Sequence, residues 1–395
     1  MFPARLLLRR PLFRFLCSDP NPNASSDPPQ SLRRTLNSLL RLDDLDQLAA
    51  DFKNFSADRN FRSKDKIYEI VVRRLTAAGR LDAVDDILVH QKRYADAISD
   101  EGFAVRVICL YGYSRMPDRA AAMFGELPDL GCPRTVFSFN AVLTAYSRSK
   151  ASCRIDAMRD FISSHSASIS PNLVSYNILI NALCEEGLHD DALKTLDLMA
   201  QRDVSPSVIT FNTLLNGFYK KGNISMGDEI WKRMVDAGVS PDVRSFNSKI
   251  RGFVSAGMIP EAFEALEELR RSDLQPDSHT FNALMKGFLL GGKLEEAKRI
   301  FEEMGKNGCL PDRITLRQFI PKLCHSGEVN LALELCRNGI LKGFVVDVSL
   351  VKKVVDLLVK DSRYVEAKKL VFLARRKKKN VKLSMPLPCL AAWVS

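Results

Sequence analysis

The sequence predicts an all-α chain, a right-handed α-solenoid of stacked antiparallel helix pairs, on three observations. Pro171, Pro206, Pro241, Pro276 and Pro311 stand 35 residues apart, and a period of roughly 20–50 residues marks a repeat array. Gly187, Gly222, Gly257, Gly292 and Gly327 keep the same interval, as do Ala192, Gly227, Ala262, Ala297 and Ala332. Within each interval the apolar spacing is helical rather than alternating, as in YNILINALCEEG and HDDALKTLDLMAQ. One helix pair cannot bury both its faces, so neighbours must stack.

The chain opens MFPARLLLRRPLFRFLCS, with four arginines and no acid before Asp19. An Arg-rich, acid-poor, amphipathic start fits a mitochondrial presequence, whereas a secretory signal would hold an unbroken apolar core. The alternatives are a plastid destination, less favoured because serine becomes frequent only after Ser18, and a basic arm that stays on the protein. Residues 19–30 (DPNPNASSDPPQ) form a linker in which no helix persists. Residues 1–30 are therefore read as presequence and linker.

Residues 31–102 are read as degenerate N-terminal helical repeats. KIYEIVVRRLTAAGRLDAVDDIL, from about Asp65, supplies one unit with Gly79 ending its first helix, and residues 31–60 supply a worn unit or a capping pair. The array proper runs over residues 103–347. It starts with a unit from about Phe103, followed by one from Val136 to Asn172 that is two residues longer than the rest, the surplus placed in SSHSASIS. Five units follow at 173–207, 208–242, 243–277, 278–312 and 313–347. In each, the glycine ends the first helix in a left-handed C-cap, the small residue lets the second helix approach closely, and the proline closes the loop. Residues 348–374 make a C-terminal capping helix pair, and 375–395 are a basic run and an apolar tail, MPLPCLAAWVS, with no assigned role.

Of the net charge of +11, residues 1–18 carry +4 and residues 375–382 carry +6. The repeat body is nearly neutral, so bulk charge does not by itself make it an RNA binder. The nine cysteines form no C-x-x-C pair, and their odd count and scattered positions predict reduced thiols, most of them filling the core. No apolar run reaches the roughly 18–20 residues that span a bilayer. A soluble monomer with no membrane contact is expected.

These residues resemble a known family, the pentatricopeptide repeat (PPR) proteins. The period of 35, the unit openings LVSYN, VITFN, VRSFN and SHTFN, the LCEEG-type helix end and the closing Pro-Asp cover roughly residues 100–350. The W-x2-L-G-x2-Y pattern of tetratricopeptide units is absent. Units of one plain length resemble the P class. The short chain and arginine-rich start resemble the small plant mitochondrial members, some of them mitoribosome-associated.

Asn140, Asn177, Asn212, Asn247 and Asn282 form a column of their own, each preceded by an aromatic ring. Ser175, Thr210, Ser245, Thr280 and Thr315 precede the next asparagine of the column, or its replacement Arg317, by two positions. A hydroxyl there caps a helix and leaves the asparagine at the second helical position. Asparagine is a mediocre helix former, so its recurrence points to a ligand, and an amide's donor and acceptor suit the edge of an unstacked base. A local helix-start or inter-repeat hydrogen bond is the competing account.

The unit-closing residues Asn172, Ser207, Asp242, Asp277, Asp312 and Asp347 are weak evidence alone, because Pro-Asp and Pro-Ser are common turn dipeptides. The resemblance implies that they pair with the asparagines to read one base per repeat. Asn140/Asn172 would then favour a pyrimidine, Asn177/Ser207 C, and Asn212/Asp242, Asn247/Asp277 and Asn282/Asp312 U, a site like 5′-YCUUU-3′. It also implies base stacking by Phe137, Val174, Ile209, Arg244, His279 and Ile314, where guanidinium and imidazole planes depart from the usual aliphatic residue. For Arg244 and His279 an exposed groove-wall position is the equal alternative. Arg317 replaces asparagine in the sixth unit and makes the next base unreadable, leaving a phosphate contact as its role. Val107 and Glu69 hold the equivalent place upstream, in units read as structural.

Three function classes compete. The first is a binder of single-stranded organellar RNA that acts by occupancy on stability, processing or translation. Five pyrimidine readings recur about once in a thousand positions, and each mismatch costs only ~1–3 kcal/mol, which favours a protein held on one RNA, such as ribosomal RNA, by neighbours that include mitoribosomal proteins. The second is a helical protein-binding scaffold, which has no need of one amide per repeat. The third, an enzyme, is not expected. The zinc deaminase signature H-x-E with P-C-x-x-C, the Walker loop and the G-x-S-x-G elbow are all missing, and no histidine pairs with a cysteine or carboxylate at ligand spacing. No cofactor and no metal are implied.

Overall fold

The computed structural model describes residues 38–39, 41–343 and 346–377 and the backbone of Val381–Lys382. The presequence, the linker and the apolar tail lie outside the described residues. The chain divides into two compact units between Pro206 and Ser207.

The first unit holds α1 (Leu45–Phe55), α2 (Arg59–Arg62), α3 (Asp65–Ala77), α4 (Leu81–His90), α5 (Ala95–Ile98), α6 (Glu101–Tyr113) and α7 (Pro117–Glu126). It continues through α8 (Val136–Arg148), α9 (Arg154–His165), α10 (Leu173–Glu186) and α11 (His189–Gln201). The first helices α3, α6, α8 and α10 pack side by side in that order. Val107 on α6 is buried.

The second unit holds α12 (Val208–Lys220), α13 (Ile224–Asp236), α14 (Val243–Ser255), α15 (Ile259–Arg271), α16 (Ser278–Leu290) and α17 (Leu294–Lys306). After these come α18 (Arg313–His325), α19 (Val329–Leu341), α20 (Val348–Lys360) and α21 (Tyr364–Arg376). Here α12, α14, α16, α18 and α20 stack in sequence, and each is joined to its following helix by a short turn that leaves the two antiparallel. Among the described residues the one departure from an all-α chain is a two-residue parallel pairing of Val346–Asp347 with Val381–Lys382.

The repeated columns act as their chemistry requires. Gly187, Gly222, Gly257, Gly292 and Gly327 all have φ between 71° and 81°, the left-handed region that only glycine enters freely. Ala192, Ala262, Ala297 and Ala332 are fully buried against the first helix. In one unit the column narrows to Gly227, because a Cβ there would lie 2.7 Å from Cδ1 and Cζ of Tyr219.

Two features were not foreseen. A second left-handed column ends the second helices at Asp203, Gly238, Asp273, Gly308 and Gly343. The surplus of the 136–172 unit lies mainly in its inter-helix turn rather than in the Ser-rich stretch. Five residues, Ser149–Cys153, separate α8 from α9, where three, Lys221–Asn223, suffice between α12 and α13. Lys150 stands in the glycine register there, although Arg115 and Ser362 hold the same register at φ 60° and 57° in three-residue turns, so the residue type alone does not explain the longer turn.

Candidate nucleic-acid interface

The starts of the first helices build the site, and the capping arrangement differs from the one expected. Asp242, Asp277 and Asp312 have extended backbones, with φ near −106° and ψ near 180°, and are themselves the N-caps of α14, α16 and α18. Ser245, Thr280 and Thr315 sit at the third helical position and close a capping box, each hydroxyl accepting from the cap's own N–H at 3.0–3.1 Å. Thr135, Asn172 and Ser207 cap α8, α10 and α12 in the same way. The asparagines therefore occupy the fifth helical position, not the second.

That shift brings Asn140, Asn212, Asn247 and Asn282 against the cap of the next repeat. Asn212 Nδ2 donates to Asp242 Oδ1 at 2.9 Å, and Ser245 Oγ donates to Asn212 Oδ1 at 2.6 Å. Asn247 meets Asp277 at 3.0 Å and Thr280 at 2.6 Å, and Asn282 meets Asp312 at 3.1 Å and Thr315 at 2.8 Å. In the first unit Asn140 donates to Asn172 at 3.2 Å and accepts from Ser175 at 2.6 Å. Packing thus uses these amides, and Asn140, Asn247 and Asn282 are buried at 2%, 9% and 5% exposure. Asn177 is half-buried in the first unit, and its Oδ1 has no hydrogen-bond partner among the described residues.

The network leaves specific atoms open. Asn140, Asn212, Asn247 and Asn282 each keep one Nδ2 hydrogen, while the second acceptor site of Asn282 Oδ1 is filled by Gln318 Nε2 at 3.2 Å. Asp242, Asp277 and Asp312 each concentrate their donors on Oδ1: the backbone N–H of the third helical residue and the amide of the preceding repeat donate to it, and the hydroxyl whose proton goes to the asparagine lies 3.0–3.1 Å away. Oδ2 of each accepts no hydrogen bond among the described residues. Asn172 is the complement, since its Oδ1 takes the donors and its Nδ2 stays open. Burial pushes the carboxyls of Asp242 and Asp277 up, but their hydrogen bonds outweigh it and hold both below the ordinary carboxylate range. They are ionised acceptors at neutral pH.

At the second position of the first helices, Phe137, Val174, Ile209, Arg244, His279 and Ile314 are all exposed. Each lies three residues before the asparagine position of its helix and so shares its face. Arg317, in the asparagine register, is exposed, but its Nε pairs with Asp347 Oδ2 at 3.2 Å. Arg313 holds the other oxygen of Asp347 at 2.8 Å. Among the described residues no cluster of histidine, cysteine or acid has the arrangement of a metal site, and no helix is long and apolar enough to cross a membrane.

Four overlapping segments, residues 171–220, 206–255, 241–290 and 280–325, match the model of the PPR repeat family. The small ribosomal subunit protein mS78 (rPPR3a) of Arabidopsis thaliana is 40% identical over 177 residues, 44% of this chain and 43% of that protein. The small ribosomal subunit protein mS79 (rPPR3b) of the same plant is 38% identical over 146 residues, 37% of this chain and 36% of that one. A mitochondrial pentatricopeptide repeat-containing protein of Arabidopsis thaliana is 40% identical over 126 residues, 32% of this chain and 31% of its own. The chain spans less than half the length of each of these relatives.

Proposed function

This chain is a pentatricopeptide repeat protein, its repeats matched over residues 171–325, and on that footing we propose that it binds single-stranded RNA with a pyrimidine bias, one base per repeat. The observation that carries the reading is the row of one-sided carboxylates at Asp242, Asp277 and Asp312. With Oδ1 fixed by two or three N–H donors, Oδ2 is a preorganised acceptor for the N3–H of uracil. The open Nδ2 hydrogen of the asparagine one repeat earlier supplies a donor beside it. Exposed Ile209, Arg244, His279 and Ile314 offer faces on which neighbouring bases stack.

The protein acts by occupancy, without bond chemistry. Its place is the mitochondrion, in keeping with the mitochondrial and ribosomal names of its relatives and with the arginine-rich start. Five weak readings select no transcript alone, so attachment to ribosomal RNA by neighbouring ribosomal proteins is the favoured setting.

Binding of purified protein to a YCUUU oligonucleotide, against the same oligonucleotide with adenines, tests the base reading. Asn212→Ala, Asn247→Ala and Asn282→Ala together should abolish the preference for oligo-U over oligo-A, and Asp277→Ser should move the preferred base there from U to C. An unchanged preference in both variants removes the assignment. Crosslinking in isolated mitochondria followed by RNA sequencing tests the setting, with reads on one ribosomal segment expected and scattered messenger sites against it.

A second reading, a protein scaffold without base recognition, is favoured by the burial of Asn140, Asn247 and Asn282. Equal affinity for oligo-U and oligo-A in the parent protein would decide for it.

A further inference from the structure

The last helix pair differs from the pairs before it on one face. On α21 the side chains of Val365, Lys368, Lys369, Phe372, Arg375 and Arg376 recur at i, i+3, i+4, i+7, i+10 and i+11, so they form one stripe, and all are exposed. Val365 and Phe372 are 64% and 67% exposed. In the five preceding units the Phe372 position always carries a charge, as at Glu267, Glu302 and Arg337, and the Val365 position is polar or proline, as at Ser225, Pro260 and Glu295. This stripe sets two large apolar side chains among four cations.

The cations of the stripe also lack partners. Lys368 and Arg375 stand two and three periods after Lys298 and Arg270. Those earlier groups reach across to the following repeat, where they pair with Glu328 and Glu303. Among the described residues no helix follows α21, and none of Lys368, Lys369, Arg375 and Arg376 forms an ion pair.

We propose that this stripe docks an acidic amphipathic α-helix of another protein. Phe372 and Val365 seat its apolar side chains, while Lys368 and Arg375 pair with its Asp or Glu as Lys298 and Arg270 pair within the array. RNA would satisfy the cations and leave Val365 in water. The chain's own residues 383–395, which carry no charged side chain, would cover the apolar groups and leave the cations unpaired. Charge and apolar area together select an acidic protein segment.

The test is a photo-crosslinking p-benzoylphenylalanine in place of Phe372 in the full chain, produced in its own cells, with the crosslinked residue mapped by mass spectrometry. The expected crosslink falls in a helical segment of another polypeptide in which Asp and Glu outnumber Lys and Arg. Lys368→Glu with Arg375→Glu should lower its yield about tenfold, and Val365→Ser should lower it as well, with melting temperature and oligo-U affinity of the purified variants unchanged. Crosslinks confined to RNA, to residues 383–395, to a second copy of this chain or to a segment without acids would overturn the proposal, as would a yield indifferent to the charge reversal. A tenfold fall in oligo-U affinity on that reversal would assign the face to RNA instead.

Discussion

Arg317 and Asp347 stand thirty residues apart, the separation of Asn282 and Asp312, yet an ion pair of 3.2 Å replaces the amide hydrogen bond. Arg313 holds the second oxygen of Asp347, whose side chain is only 13% exposed. Asp312 keeps one oxygen open and Asp347 keeps none. On the proposed reading, recognition stops at Asp312.

Arg313→Ala combined with Arg317→Asn rebuilds the amide and releases a carboxylate oxygen. A preference of about tenfold for U over A should appear at the nucleotide after the YCUUU site, given ~1–3 kcal/mol per base. Fluorescence anisotropy with labelled hexamers measures it. Equal binding of the two hexamers would mean that Asp347 does not face the ligand.

Asn247 ties two repeats together, and its loss should cost stability as well as base preference. Asn247→Ala removes the bonds to Asp277 and Thr280 from a buried site, a cost of about 1–3 kcal/mol. Asn247→Asp keeps the shape but sets a second carboxylate against Asp277, so it should be the worse variant at neutral pH. Like charge raises the new carboxyl's pKa in the folded state, so the deficit shrinks as pH falls toward that of an ordinary carboxylate and grows as pH rises. Urea unfolding at pH 5 and 7.5 checks both points, and equal stability of the two variants at pH 7.5 counts against the contact.

The lowered carboxyls of Asp242 and Asp277 predict an acid limb of stability. Their contribution is complete above the unfolded value of about 3.9 and is lost as pH falls through the lower folded values. Asp242→Asn with Asp277→Asn retains helix caps, because asparagine caps as well as aspartate. The urea midpoint of this variant should fall less steeply than the parent's between pH 5 and 2.5. Superimposable slopes would refute the assignment.

Asp273 sits at φ 56°, in a column where Gly238 and Gly308 occupy the neighbouring repeats. Asp273→Gly relieves a left-handed cost of about 1–2 kcal/mol against a smaller backbone-entropy loss, for a net gain of about 0.5–1 kcal/mol. Asp273→Val should lose stability at the same site. Thermal melting that ranks valine above glycine would contradict the conformation.

The helix pairs were legible because their punctuation has narrow chemistry. A left-handed turn favours glycine, and a tight helix crossing calls for alanine or glycine, so both columns surface in the sequence, from Gly187 to Gly327 and from Ala192 to Ala332. The second left-handed column stayed hidden because aspartate tolerates that region, and Asp203 and Asp273 break the row of glycines. The cap was misplaced for a related reason. Asp242 and Ser245, three residues apart, are each good N-caps, and only the extended backbone at Asp242 decides between them. With the cap moved, the asparagine column changed from a free-standing ligand row into a joint between repeats.

One position therefore serves two masters. The residue proposed to choose the base must also start a helix, and Asn172, Ser207, Asp242, Asp277 and Asp312 all belong to the short roster of side chains able to do so. Leucine, lysine or phenylalanine there would fray the helix before touching any nucleotide. The vocabulary of such an array is limited by protein folding before RNA has a say.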